Sequence, residues 1–274
     1  MIRLLNAGFE RLRKNKIFWL LTIFSVGFAL LIICTQYKNM IKYDKVIEIE
    51  QLLINYPTII GIVIAIFTSL FLGVEYSDGA IRNKISIGHR RINIYLSNLI
   101  IVSITSLLSY ILFMIVVSTI GIPLFGGLTM QMSSFLKIVG CIFVIILSYS
   151  SIFTFIAMII SNKTITAIVS IMLVFGMMMT ALLCFNILSA KEYVMAESLI
   201  DGEIKYEEVP NPKYPGESKK KLCQKIIDIV PAGQAFQLAG RITQNLKALP
   251  IYSLGIFIVF TGAGIVLFEK KELK

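Results

Sequence analysis

Six long apolar runs dominate the pattern of the chain, at about 17–34, 57–74, 95–120, 136–160, 165–189 and 250–268. Each is long enough, at ~1.5 Å per helical residue, to cross ~30 Å of hydrocarbon. They predict an all-α integral membrane protein with six transmembrane helices. Residues 1–16 space Ile2, Leu5, Phe9 and Leu12 at helical intervals among Arg3, Arg11, Arg13, Lys14 and Lys16, which predicts an amphipathic interfacial helix before the first span. The long polar stretch, 190–249, contains the turn-rich Pro210-Asn-Pro-Lys-Tyr-Pro215. Beyond it, Leu222, Ile226, Ile229 and Val230 recur at helical spacing, and after Pro231 so do Phe236, Ala239, Ile242 and Leu246. Two short helices are expected there, with Phe236 and Ile242 packing on the mouth of the membrane domain; ahead of residue 217 the stretch reads equally as a loose loop.

A shorter polar island, 75–94, separates the second and third runs. Ser77 or Asp78 is placed to cap a helix, and Gly88 to close it in a left-handed turn. About two turns lie between, with Ile81 and Ile85 on one face. Two turns do not hold in water unaided, so this helix is expected to dock against something.

Charge settles the orientation expected of the bundle. The 274 residues are 57% hydrophobic, with a mean hydropathy of +0.82 and a formal charge of +10. If both termini are cytoplasmic, the cytoplasmic segments hold 13 Lys and Arg against 5 Asp and Glu, while the external ones hold 13 against 11. The excess lies inside, as the positive-inside rule requires, and nucleic-acid binding loses its main support. The expected protein is therefore a multi-pass protein of the cell membrane, with 269–274 as a basic cytoplasmic tail. The first run is too long for a cleavable leader, with no small-residue cleavage site after it.

Chemistry of other kinds finds little footing. Cys34, Cys141 and Cys184 lie in apolar runs and Cys223 in a loop; with the single histidine, His89, they match no zinc spacing. No Gly-Lys dipeptide occurs, so there is no P-loop, and no internal repeat supports an inverted-repeat carrier. The six runs are read as free of Asp, Glu, Lys and Arg, which argues against an ion-driven pump. A substrate pathway would then be lined by Ser106, Ser109, Ser148 and Tyr149, with Met177 and Met178 as an adaptable wall; ordinary helix packing is the competing use of the same residues.

The motif Glu75-Tyr-Ser-Asp-Gly-Ala-Ile-Arg-Asn-Lys84, followed by Gly88-His-Arg-Arg91 and Tyr95, resembles the first cytoplasmic loop of ATP-binding-cassette (ABC) permeases. The resemblance is to the second-type exporter class of Gram-positive bacteria, whose loop reads roughly Glu-Tyr-Ser-x-Gly-Thr-Ile-Arg-Asn-Lys; Ala80 stands in place of the usual Thr. Six apolar segments in matching order extend it over nearly the whole chain. The resemblance implies that 75–94 holds a coupling helix seated in a cleft of a separate ATPase subunit, where ATP and Mg bind; no cofactor is implied on this chain. Glu75, Tyr76, Asp78, Ile81, Arg82, Lys84, Ile85, His89, Arg90 and Arg91 become docking residues, with Ile81 and Ile85 inserting into the cleft. It further implies a second permease copy or a related permease, contact with membrane lipid, and export of an amphipathic peptide, antibiotic or lipid-like compound, often in bacteriocin or antibiotic resistance. The alternative is a membrane-anchored binding, sensing or immunity protein without transport.

Overall fold

The computed structural model describes residues 1–200, 203–212, 214–243 and 245–272. In chain order the elements are α1 (Ile2–Lys14), α2 (Lys16–Tyr43), α3 (Ile49–Leu53), α4 (Pro57–Ser77), α5 (Ala80–Ser86), α6 (Arg91–Phe125), α7 (Met132–Ile159) and α8 (Lys163–Ser189). A hairpin of β1 (Tyr193–Ile200) and β2 (Glu203–Pro210) follows, then α9 (Glu217–Ile229), α10 (Pro231–Ala239) and α11 (Ala248–Lys270). Six helical stretches are long and apolar enough to span a membrane: α2, α3 with α4, α6, α7, α8 and α11. The expected all-α multi-pass architecture is the one observed.

The helices outrun the apolar runs that announced them. Nothing in Thr35–Tyr43 prevents helix, so α2 continues past residue 34 until Asp44 turns left-handed at φ 46°. Likewise α6 passes through Pro123 to Phe125, although the proline has no amide to donate to the Thr119 carbonyl, and Gly126 at φ 93° then ends it. Hydrophobicity marks where a chain can enter lipid; capping decides where a helix stops.

The centre of the bundle is α4, α6 and α7, whose most apolar windows are 61, 50 and 72% buried, against 17–22% for α2, α8 and α11. Phe67, Phe71, Tyr95, Tyr110, Phe113 and Phe153 are fully buried there. Gly61 lets α4 lie against Tyr149 of α7: a Cβ on it would sit 2.8 Å from the Tyr149 ring. The outer helices leave Trp19, Phe24, Phe175, Ile258 and Val259 exposed, as expected of surfaces whose solvent is lipid or another membrane chain.

Several expectations need correction. The fourth apolar run does contain a charge, the exposed Lys137, and the helical stretch 49–77 buries two carboxylates, Glu50 and Glu75. α1 buries Leu4, Gly8 and Leu12 against α6, leaving Ile2 exposed and Leu5 and Phe9 only partly covered. The helix thus packs on protein through a stripe that shares Leu12 with the expected one but is centred on Leu4 and Gly8, with Leu5 and Phe9 at its edge. α9 turns Cys223 and Ile227 inward, so Leu222 and Ile229 face outward, and Cys223 is a buried helical residue rather than a loop thiol. α10 buries Gln234 and Gln237 along with Ala235 and Leu238, while Phe236 is half-buried and Ile242 lies exposed beyond the helix. The β1–β2 hairpin, paired from Tyr193 with Pro210 to Ile200 with Glu203, was not anticipated. Lys213 of the proline-rich spacer and Leu273 and Lys274 of the tail lie outside the described residues.

Candidate functional site

At the end of the bundle that carries α5, the chain must reverse between α4 and α6 while its polar residues find partners. Asp78 closes α4 with its amide on the Val74 carbonyl at 3.0 Å. Gly79 then adopts φ 68° and opens α5 with no side-chain cap. The expected cap from Ser77 or Asp78 does not form, because the Ser77 hydroxyl is occupied by the Val74 carbonyl and Asp78 itself. At the far end Gly88 takes the expected left-handed turn at φ 92°. The His89 and Gly88 amides donate to Lys84 and Ile85 carbonyls at 3.1 and 2.9 Å, satisfying groups that seven residues of helix leave open.

Glu75 is the anchor of this end. It is 2% exposed, and its Oε1 pairs with both Arg11 of α1 and Lys84 of α5, while Oε2 accepts from Asn98 Nδ2 of α6 at 2.9 Å. Four helices therefore meet on one carboxylate. The Arg11 guanidinium also lies 3.8 Å from the centroid of the Phe71 ring, a cation–π contact in a site with little water. Burial lowers the Arg11 pKa from its ordinary value, and the charge and hydrogen bond of Glu75 oppose that shift. Breaking a buried pair of this kind by removing one partner costs ~3–5 kcal/mol, since the other charge is left unpaired.

A second set of contacts holds the last span to the same end. Arg91 Nη1 donates to the Phe268 and Glu269 carbonyls at 3.1 and 3.0 Å and to that of Lys271, so a guanidinium covers the open carbonyls of α11. Lys271 Nζ reaches Tyr76 Oη and the Met158 carbonyl, both at 3.0 Å, and Tyr76 Oη donates to the same carbonyl. Desolvation lowers the Lys271 pKa from 10.5 to about 8.

These contacts sort the docking residues expected from sequence. Glu75, Tyr76, Lys84 and Arg91 are engaged within the chain itself. Ile81 is 1% exposed and joins the bundle core, and Ile85 packs against that core. Asp78, Arg82 and Arg90 are exposed and His89 is half-buried. The apolar side chain that this loop leaves to solvent is Ile87, 77% exposed. Arg11, Asn98 and Lys271 were missed as members of the site. Glu75, a lone carboxylate beside an apolar run, was the available signal; its partners lie too far along the chain for spacing to identify them.

The pathway candidates are more dispersed. Ser106 and Ser148 are buried and donate to carbonyls of their own helices, at 2.8 and 2.7 Å. Ser109 is within 2.7 Å of Ser25 and 2.6 Å of Tyr56, an inter-helix hydroxyl cluster. Tyr149 is buried beside Phe153, and Met177 and Met178 are half-buried on α8. An apolar groove of about 420 Å³ between α2 and α4, walled by Leu20, Phe24, Ile66 and Phe67, contains none of them.

The arrangement is thus a short helix fixed by an ionic hub at one end of six candidate spans. The family model described as ABC-2 family transporter protein matches residues 4–195. The chain belongs to the ABC-2 transporter family. No curated protein matches it. The matched region runs from α1 through α8, and so includes the Glu75 hub and α5 but not α9, α10 or α11. An ABC-2 protein of this kind is the permease component of an ABC transporter and works with an ABC ATPase partner.

Proposed function

We propose that this ABC-2 permease is the membrane half of an ATP-driven exporter, with α5 as the coupling helix seated in a cleft of the ATPase subunit on the cytoplasmic side. The observation that carries the reading is the Glu75 hub: whatever moves α5 pulls on Lys84, and through Glu75 on α4, on Arg11 of α1 and on Asn98 of α6. Ile87 is the apolar tooth offered to the ATPase, with exposed Arg82 and Arg90 at its rim. The protein acts as a dimer or beside a related permease, both termini cytoplasmic, with 190–249 forming an external subdomain. Its substrate is an amphipathic peptide, antibiotic or lipid-like compound, in keeping with spans whose buried polar groups are mostly hydroxyls. Resistance to a bacteriocin or antibiotic is the physiological role proposed.

Burial of one Ile side chain contributes ~1.5–3 kcal/mol, enough to change affinity ten- to a hundredfold. Ile87→Glu is therefore expected to release the ATPase in pull-down and abolish substrate-stimulated hydrolysis in reconstituted vesicles, with all six spans still inserted. Retention of both activities by that variant would remove α5 as the coupling helix. Cysteine introduced at exposed Ser218 should react with an impermeant reagent on intact cells; reaction only after lysis would reverse the proposed orientation.

A further inference from the structure

The end of the bundle opposite α5 carries a cavity of about 740 Å³ between the last turns of α8 and one face of α9. Phe185 and Leu188 of α8 and Ile242 form its apolar wall. Lys220, Lys221 and Lys225 of α9 stand over that wall, against the single carboxylate of Glu217. The arrangement follows from helical spacing: Lys221 and Lys225 are one turn apart, while Cys223 and Ile227 take the opposite face and pack with Cys184 of α8. Lys220 is held in place, donating to the Ala190 carbonyl at 2.7 Å with its ammonium 4.7 Å from the centroid of the Tyr214 ring. Lys221 and Lys225 are exposed and form no salt bridge among the described residues.

The apolar wall does not stop at the cavity. Leu182, Met178 and Phe175 fall on the same face of α8 as Phe185, and Leu182 and Phe175 are 46 and 54% exposed. From Phe185 to Phe175 the strip is ~15 Å long at helical rise, about half the thickness of the hydrocarbon core, or one leaflet. A cationic rim at the top of an apolar strip of that length matches an anionic head carried on an acyl chain.

We infer that this groove binds an anionic phospholipid, its phosphate between Lys221 and Lys225 and one chain along α8 from Phe185 to Phe175. Charge complementarity selects this occupant. A zwitterionic lipid brings a cation of its own to the three lysines, and a second protein chain would have to supply carboxylates to them. Nothing in the assignment depends on export.

The test is native mass spectrometry of the full chain in detergent, titrated in parallel with phosphatidylglycerol and phosphatidylcholine. Phosphatidylglycerol is expected to bind at least about tenfold more tightly, and the double variant Lys221→Glu/Lys225→Glu to lose that preference, each lysine near an anionic lipid being worth about a fivefold change. Both lysines are exposed, so the thermal midpoint should not move; if it does, Lys221→Gln/Lys225→Gln repeats the measurement without charge reversal. Glycerol phosphate should fail to displace the lipid, because it lacks the chain. Equal binding of the two lipids, unchanged phosphatidylglycerol affinity in the variants, displacement by glycerol phosphate, or a loss of self-association instead of lipid would each overturn the assignment.

Discussion

At the α5 end of the bundle one carboxylate, Glu75, gathers cations from two other helices; at the α9 end Glu50, the second buried carboxylate among the described residues, accepts from neutral donors of the loop after α6. Those donors are the Thr129 amide and hydroxyl and the Met130 amide. The rest of the α9 end is joined mostly by amides, with Gln237 Nε2 3.0 Å and Gln224 Nε2 2.8 Å from the Asp228 carboxylate and Gln234 Nε2 on the Asp228 carbonyl at 2.6 Å, and by one solvent-accessible ion pair, Arg241 with Glu48, which water can screen. The difference is one of mechanical linkage. Cations from separate helices sharing one buried anion cannot separate without leaving bare charge in a dry site, so α1, α4 and α5 move together, with α6 held to them by the Asn98 amide. Hydrogen bonds between neutral groups and a partly hydrated carboxylate part at lower cost, since water can replace the partners. An ABC-2 permease built this way is stiff at the α5 end and more readily separable at the other.

The sharpest way to break this comparison is Glu75→Gln, which leaves Arg11 and Lys84 facing a neutral amide. A loss of ~3–5 kcal/mol is expected, read as a fall in thermal midpoint together with loss of ATPase copurification. Adding Arg11→Gln should restore part of the stability, because the excess buried cation is then gone; a strictly additive double variant would show that the hub does not act as a unit. Glu50→Ala removes the acceptor of three donors and should cost less, ~2–3 kcal/mol, with faster proteolysis of the loop near residues 126–131 and unchanged ATPase binding. Equal coupling defects in the two variants would erase the distinction between the ends.

Smaller effects sharpen it. Ser109→Ala takes one member from the Ser25–Tyr56–Ser109 cluster in the middle of the bundle and should cost ~1 kcal/mol in denaturant unfolding. The smallest effect is expected at Lys271. With its pKa lowered to about 8 in the attached tail, a released tail binds more protons between about pH 8 and 10.5 than an attached one. Attachment should therefore tighten as pH rises through that window and be weakest below pH 8, by less than about 1 kcal/mol given the half-exposed amine. A nitroxide at position 272 should lose mobility over that range, and Lys271→Met should flatten the response.

The sequence by itself determined the six spans, the short helix between the second and third, and its closure at Gly88, because each depends on neighbours within a few turns: hydropathy over a run, and the backbone freedom of one residue. It also carried the family, through Glu75–Lys84 and the order of the apolar segments. Only the tertiary structure decided what those residues do. Ile81 looked available for a partner, but α5 rolls it into the bundle and leaves Ile87 outside. Glu75 looked like a docking residue, yet Arg11 and Asn98 reach it from helices 64 positions upstream and 23 downstream, a meeting that no local pattern encodes. The stripes of α1 and α9 were misjudged for a related reason. Periodicity reveals that a helix has an apolar side, but the neighbour that fills its grooves selects which residues are covered: Ile101 against Gly8 in one case, and Cys184 against Cys223 in the other.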